Sequence, residues 1–298
     1  MRGVDDLLPV GLHRSLIHRP NERPISRWGN CLRRVLRTGI AASLVLGCSE
    51  ALCQDRWPDP MQDWLTKENA WQYSASVGVE FSSGKYGGTM SIDTMTLPLS
   101  ISVQKERYFG SLMLPYVFST GPAVVAELGL NSSQQVVHQK QRGFGDVWLS
   151  GGYYLINRER LAVDAAALVK FPTAERSKGL GTGELDYSAQ LDVRGLVKSL
   201  IWFGTVGYYV YGDPPGLNLR DVFFGAAGVG YQGSGNRTLS ISYSTRQAVT
   251  PTTSAQSMVL LSLYQNLPPS YYLNISGGYG LSDASPDYMV QLSIGRSF

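Results

Sequence analysis

From Trp71 onward the chain divides into segments in which apolar side chains alternate with small or polar ones, and the connections between segments alternate in length. The segments read as strands at 71–82, 92–104, 107–118, 144–156, 160–171, 184–197, 200–211, 220–232, 237–247, 256–266, 270–281 and 287–298. Tight turns fall at 105–107, 157–159, 198–199, 233–236 and 267–269. Between them lie longer polar loops at 83–91, 119–142, 172–183, 212–219, 248–255 and 282–286. Successive side chains of a strand point to opposite sides, so each segment offers one apolar and one polar face. Short turns at one rim, long loops at the other and an even strand count are the arrangement of an outer-membrane barrel. Closure leaves no unpaired sheet edge for lipid to meet. The sequence therefore predicts an all-β fold, a transmembrane antiparallel up-and-down β-barrel of about 12 strands. A soluble sandwich has no reason to alternate its loop lengths.

The final segment carries the same pattern to the C-terminus. Tyr288, Val290, Leu292 and Ile294 share one face and the chain stops on Phe298, which resembles the terminal signature read by outer-membrane assembly machinery. Arg296 departs from it, standing where a further apolar residue is usual.

Composition agrees with a barrel and excludes other classes. Charged residues make up 16% of the chain, against about 25% in ordinary soluble domains, yet mean hydropathy is only -0.09 and no apolar run is long enough for a membrane helix. The 33 glycines and 17 tyrosines suit crowded barrel walls and membrane interfaces. A net charge of +3, with its positive residues concentrated before Arg37, gives no surface for nucleic acid.

Residues 1–53 read as an N-terminal extension and secretory signal peptide. Arg33, Arg34 and Arg37 precede the apolar stretch 38–47, and Ala51 and Cys53 suit cleavage before Gln54. Lipoprotein processing at Cys48 is the alternative, with bulky Leu46 against it. All three cysteines lie at or before position 53, so the remainder has no disulfide, cysteine ligand or thiol nucleophile. Residues 54–70, with Trp57 and Trp64, read as a periplasmic lead-in or short plug, and 71–298 as the barrel.

The polar rows carry the candidate lumen-lining residues. In the segment 184–197, Leu185, Tyr187, Ala189, Leu191 and Val193 form one row, and Asp186, Ser188, Gln190, Asp192 and Arg194 the other. The charged row faces inward, because Arg or Lys on the lipid face at mid-depth costs about 2–4 kcal/mol. The same test places Glu80, Asp164, Lys170 and Arg246 inside. These charges either pair into a network that fills the lumen or line a route for solute. The segments 202–210 and 258–264 are apolar on both faces, so part of the interior is expected to be greasy.

Three motifs carry a resemblance. Gly143, Phe144, Gly145 and Asp146 open one strand, Phe171, Pro172 and Thr173 close the next, and Gly179, Leu180, Gly181, Thr182 and Gly183 precede a third. In content, order and spacing they resemble the outer-membrane transporters of the MetA-pathway of phenol degradation family, with Ala174 replacing the glycine usual after Pro-Thr. The resemblance covers about 71–298 and implies a barrel distantly similar to fatty-acid and aromatic-hydrocarbon channels. From the residues themselves, Pro172 stiffens the strand exit, and glycines at 179, 181 and 183 permit positive φ for a loop folded tightly over the mouth.

Enzymatic and metal chemistry find no support. A barrel hydrolase needs a strand-borne histidine beside a serine, and the single histidine after residue 53, His138, falls in the 119–142 loop. Metal-ligand spacing is absent, and no cofactor is implied. The sequence thus predicts a non-enzymatic, monomeric barrel in the bacterial cell outer membrane, with lipid, assembly machinery and a small-molecule solute as partners. Its expected role is passive uptake of small hydrophobic or aromatic compounds. The alternative is a structural or surface-interaction barrel with a sealed lumen, in which the apolar run 123–130 folds inward or meets a partner.

Overall fold

Strand pairing in the computed structural model, which describes residues 70–121, 139–214, 219–234 and 236–298, runs from each strand to its neighbour in sequence and closes the last onto the first. The strands are β1 (Gln72–Gly84), β2 (Ile92–Lys105), β3 (Tyr108–Gly121), β4 (Gln139–Phe144), β5 (Val147–Arg158), β6 (Leu161–Phe171) and β7 (Asp186–Val197). They continue with β8 (Leu200–Val210), β9 (Val222–Gly233), β10 (Arg237–Arg246), β11 (Gln256–Leu267), β12 (Tyr271–Gly280) and β13 (Tyr288–Ser297). β1 pairs with β13 from Ser74↔Ser297 to Ser83↔Tyr288, and the Phe298 amide donates to the Tyr73 carbonyl at 2.9 Å, sealing the seam to the last residue.

β4 and β5 both pair with β3 and occupy one place in the ring, so the barrel has twelve positions. Their division has a local cause. Pro115 in β3 has no N–H to offer its neighbour, and the ladder shifts from Tyr116↔Phe144 to Met113↔Trp148 across it. The extra residue forms a bulge at 145–147. The Gly145 amide donates to the Pro115 carbonyl at 2.9 Å, and a Cβ on Gly145 would stand 2.9 Å from the Pro115 ring. The sequence boundaries shift accordingly: this strand begins near residue 139 rather than 144, and β3 runs to 121 rather than 118.

The outer surface has three zones. Val77, Val79, Leu99, Ile101, Leu191, Ile241, Leu261 and Leu292 are exposed at mid-height. Phe81, Phe171, Tyr187, Tyr208, Phe223, Tyr279 and Tyr288 ring the long-loop rim, while Tyr73, Tyr108, Trp202, Tyr231, Tyr271 and Phe298 ring the short-turn rim. An aliphatic band between two aromatic girdles is the surface of a membrane-spanning barrel, with rings at the headgroups and aliphatic chains in hydrocarbon. Arg296 fits this scheme, because its guanidinium lies 5.4 Å from the Tyr271 ring and 5.2 Å from the Phe298 ring, within the girdle. The expected signal peptide, the expected lead-in with Trp57 and Trp64, the apolar run 123–130 and His138 fall outside the described residues.

Candidate functional site

The inner surface is built from the polar row of each strand, and its two sides differ in chemistry. Around β12, β13, β1 and β2 it is lined by small hydroxyl residues: Ser276, Ser293, Ser74, Ser76, Ser100 and Ser102 are all buried. Cross-strand register pairs Ser76 with Ser100 and Ser74 with both Ser102 and Ser297. Glu80 lies in this wall between Thr96 and Gln291. The hydroxyls of Ser76, Ser100 and Ser293, the Gln291 Nε2 and the Glu80 Oε2 are enclosed without a hydrogen-bond partner among the described residues.

Across β5 to β9 the wall is charged and aromatic. Met113, Trp148, Tyr209, Tyr211, Leu219, Val222, Phe224 and Val249 form one buried cluster, with Leu168 packed against it. Tyr209 and Tyr211 have ring centroids 4.3 Å apart. The rings lie along the wall because glycines opposite them leave room. Phe224 pairs with Gly207 and Phe203 with Gly228, and a Cβ at Gly207 or Gly228 would fall 2.2 or 2.3 Å from the ring tip. Phe109 over Gly152 and Tyr272 over Gly295 repeat the arrangement.

At the long-loop rim, the three sequence motifs converge on one ion cluster. Lys170, at the end of β6 and 0% exposed, lies 2.6 Å from Asp186 and 3.5 Å from Asp146, and donates to the Thr182 hydroxyl at 3.1 Å. Asp186 also accepts from the Gly212 amide at 2.9 Å and the Tyr209 hydroxyl at 3.3 Å. The bulge beside Pro115 turns Asp146 inward, where its second oxygen accepts the Ala174 amide at 2.8 Å. Thr173 ties the loop to the same bulge, accepting from the Val147 amide at 2.9 Å and donating to the Gly145 carbonyl at 3.3 Å. Two carboxylates around one ammonium would be costly in a dry interior without these further donors. The loop from Pro172 to Leu185 is thereby pinned at the rim against β4 and the 145–147 bulge, with a short 3-10 helix (Arg176–Lys178) at its exposed crest. On that crest, Lys178 and the Ser177 hydroxyl hold the Glu175 carboxyl below its usual range.

The motif glycines serve different ends. Gly179 and Gly183 take φ of 64° and 77°, as the sequence predicts. Gly181 does not adopt positive φ; it is needed for space, since a Cβ there would stand 2.6 Å from an Asp146 oxygen and 2.8 Å from the Ala174 methyl. Gly143 is likewise covered by Leu180, 2.7 Å from where its Cβ would be. Ala174 fits because its amide rather than its side chain makes the link.

The other inward charges sit apart from this cluster. Arg194 reaches Asp164 at 3.0 Å and lies 5.5 Å from the Tyr154 ring centroid. Asp192 accepts the Thr205 hydroxyl at 2.5 Å and the Gln190 amide at 2.8 Å. Arg246 donates to the Tyr211 hydroxyl at 2.6 Å. Sequence pattern alone does not single out Trp148, Tyr209 or Pro115, although a proline inside a strand is a usable signal for the bulge. Among the described residues, no group of three or more histidines, cysteines or carboxylates could hold a metal ion.

No family model matches the sequence, and no curated protein matches it. Among solved structures, an outer-membrane channel from Pseudomonas putida F1 superposes with a TM-score of 0.58 at 11% identity, covering 77% of this chain and 96% of that one. The NanC porin aligns at TM-score 0.48 and 13% identity, over 75% of this chain and 98% of its own. The CymD monoaromatic hydrocarbon channel aligns at 0.42 and 10%, over 79% and 92%. At such identities the likeness to the first of these is one of architecture, and it agrees with the girdled surface and closed ladder: the chain folds as an outer-membrane β-barrel.

Proposed function

We propose that this barrel is a passive outer-membrane channel for the uptake of small hydrophobic or aromatic compounds, and that it is a member of the phenol-degradation transporter family its motifs resemble. The observation that carries the reading is the aromatic and aliphatic cluster around Trp148, Tyr209 and Phe224, placed inside the barrel. A barrel that served only as a wall could fill that space with paired polar groups. Flat rings inside the barrel instead offer a planar apolar solute a face to slide on. Glu80, Asp164, Lys170, Asp186, Asp192, Arg194 and Arg246 line this interior, the Lys170 cluster holding the mouth loop and the Arg194 pair bracing the wall nearer the short-turn rim. Movement follows the solute gradient. The barrel acts as a monomer, with lipid around its girdles and Phe298 presented to the assembly machinery; it is not an enzyme.

A sealed structural barrel is the second reading, favoured by the pinned loop and the near-zero exposure of the inner serines. The two separate in intact cells, where a lipopolysaccharide leaflet slows the entry of apolar molecules. Cells carrying the barrel are expected to take up labelled toluene several-fold faster than cells lacking it. Equal rates, with heat-modifiable migration showing the barrel folded in the outer membrane, would favour the sealed wall.

A further inference from the structure

Of the cations turned into the barrel, Lys170 and Arg194 each meet a carboxylate. Arg246 does not. It ends β10 at the long-loop rim and is 1% exposed. Its Nη1 donates to the Tyr211 hydroxyl at 2.6 Å, and its guanidinium carbon lies 6.0 Å from that ring's centroid. The remaining groups, Nε and Nη2, are enclosed with no hydrogen-bond partner among the described residues. Register places Phe224 and Gln256 beside it, and the Gln256 amide nitrogen is engaged by the Ala284 carbonyl at 2.7 Å.

A guanidinium stays charged at any pH a cell meets, so burial cannot neutralise it as it can a lysine. A desolvated cation with two idle donors is a strong local demand for an anion. The two donors are also the matching ones: Nε–H and Nη2–H share one edge of the guanidinium plane and point in parallel, which suits both oxygens of a carboxylate. A single positive charge balances a monoanion, and Tyr211, which accepts from the guanidinium, and Phe224, beside it in the ladder, belong to one buried cluster with Tyr209, Val222 and Val249.

We propose that Arg246 and Tyr211 form a binding site for small aromatic monocarboxylates, the carboxylate seated on the Nε and Nη2 edge and the ring against the aromatic cluster. The site rests on the uptake reading and names its solute as the benzoate class, a charged relative of the apolar compounds that the cluster alone would take. Ionised at neutral pH, such a solute crosses lipid poorly and gains most from a protein path.

Equilibrium binding to the full barrel folded in detergent micelles tests this without depending on transport. The probes are benzoate, its uncharged counterpart benzyl alcohol, and acetate. Benzoate is expected to bind about tenfold or more tighter than either of the others, as a paired charge-assisted contact allows. In Arg246→Gln the preference over benzyl alcohol is expected to vanish, and in Arg246→Lys to return only in part, because an ammonium lacks the paired edge. Benzoate and benzyl alcohol binding alike, or acetate matching benzoate, would overturn the proposal. Should Arg246→Gln not fold, the three-probe comparison on the unaltered protein still decides. Toluene uptake tests the channel reading separately, so a tight benzoate site in a non-conducting barrel, or toluene flux without benzoate preference, would show which of the two has failed.

Discussion

The two sides of the interior solve the same problem, filling a barrel with side chains, in opposite ways. Around β12, β13, β1 and β2 the wall is made of serines whose hydroxyls at Ser76, Ser100 and Ser293 are enclosed and unmatched among the described residues. From β5 to β9 nearly every large group is engaged: Lys170 with Asp146 and Asp186, Arg194 with Asp164, Asp192 with Thr205 and Gln190, and rings seated on glycines. A buried charge left without a partner costs more than a buried hydroxyl left so, and it is on the charged wall that most partners are gathered. The charged wall is therefore the one held in shape by specific pairs, and the serine wall is not.

Replacing Lys170 with Met should have the largest effect. It leaves Asp146 and Asp186 buried without their cation and is expected to cost about 3–5 kcal/mol, read as a lowered urea midpoint for the heat-modifiable band. Trypsin should also cut faster at Arg176 and Lys178, since the loop loses its pin. A stability change below about 1 kcal/mol would erase the distinction between the walls.

Gly228→Val sharpens the comparison at the rings. A branched side chain would displace Phe203 from its seat, with an expected loss of about 1–3 kcal/mol and slower toluene uptake as the ring swings inward. Adding Phe203→Ala to Gly228→Val should recover part of the stability, a coupling that a double-mutant cycle measures. Independent, additive losses would mean that the ring and the glycine do not depend on one another.

The serine wall should be the least sensitive. Ser100→Ala together with Ser293→Ala is expected to change stability by no more than about 0.5 kcal/mol, because the hydroxyls removed have no partner to lose among the described residues. A loss well beyond that would reveal bonds holding this wall together and make it as rigid as the other.

Much of this molecule is legible in its sequence because lipid enforces a strict rule. Leu191 and Asp192 cannot exchange faces, so strand alternation gives both the sheet and the inward charges. The apolar character of both faces at 202–210 announces the greasy sector that contains Phe203 and Tyr209. Partners are another matter. Asp146 reaches Lys170 because a bulge at Pro115 reorients it, and Gly181 is glycine because of a carboxylate from a different strand, so spacing along the chain carries no trace of either contact. The idle edge of Arg246 is harder still, since it depends on which acceptors fail to arrive. The strand reading goes astray at 139–144 and at the end of β3 that pairs with it, where Gly143 and Gly145 weaken the strand pattern and the extended pairing between β3 and β4 outweighs them.

The rings laid over glycines have a further consequence for how the bore of such a barrel is set. Strand number and tilt fix the diameter of the backbone cylinder, yet the free width inside depends on whether side chains stand up or lie down. Each glycine opposite an aromatic residue lowers one ring toward the wall, so calibre is adjustable pair by pair with the ladder left untouched. A barrel of this kind could be retuned for wider or narrower solutes by moving glycines around its inner face, a change of bore that adds no strand and breaks no backbone hydrogen bond.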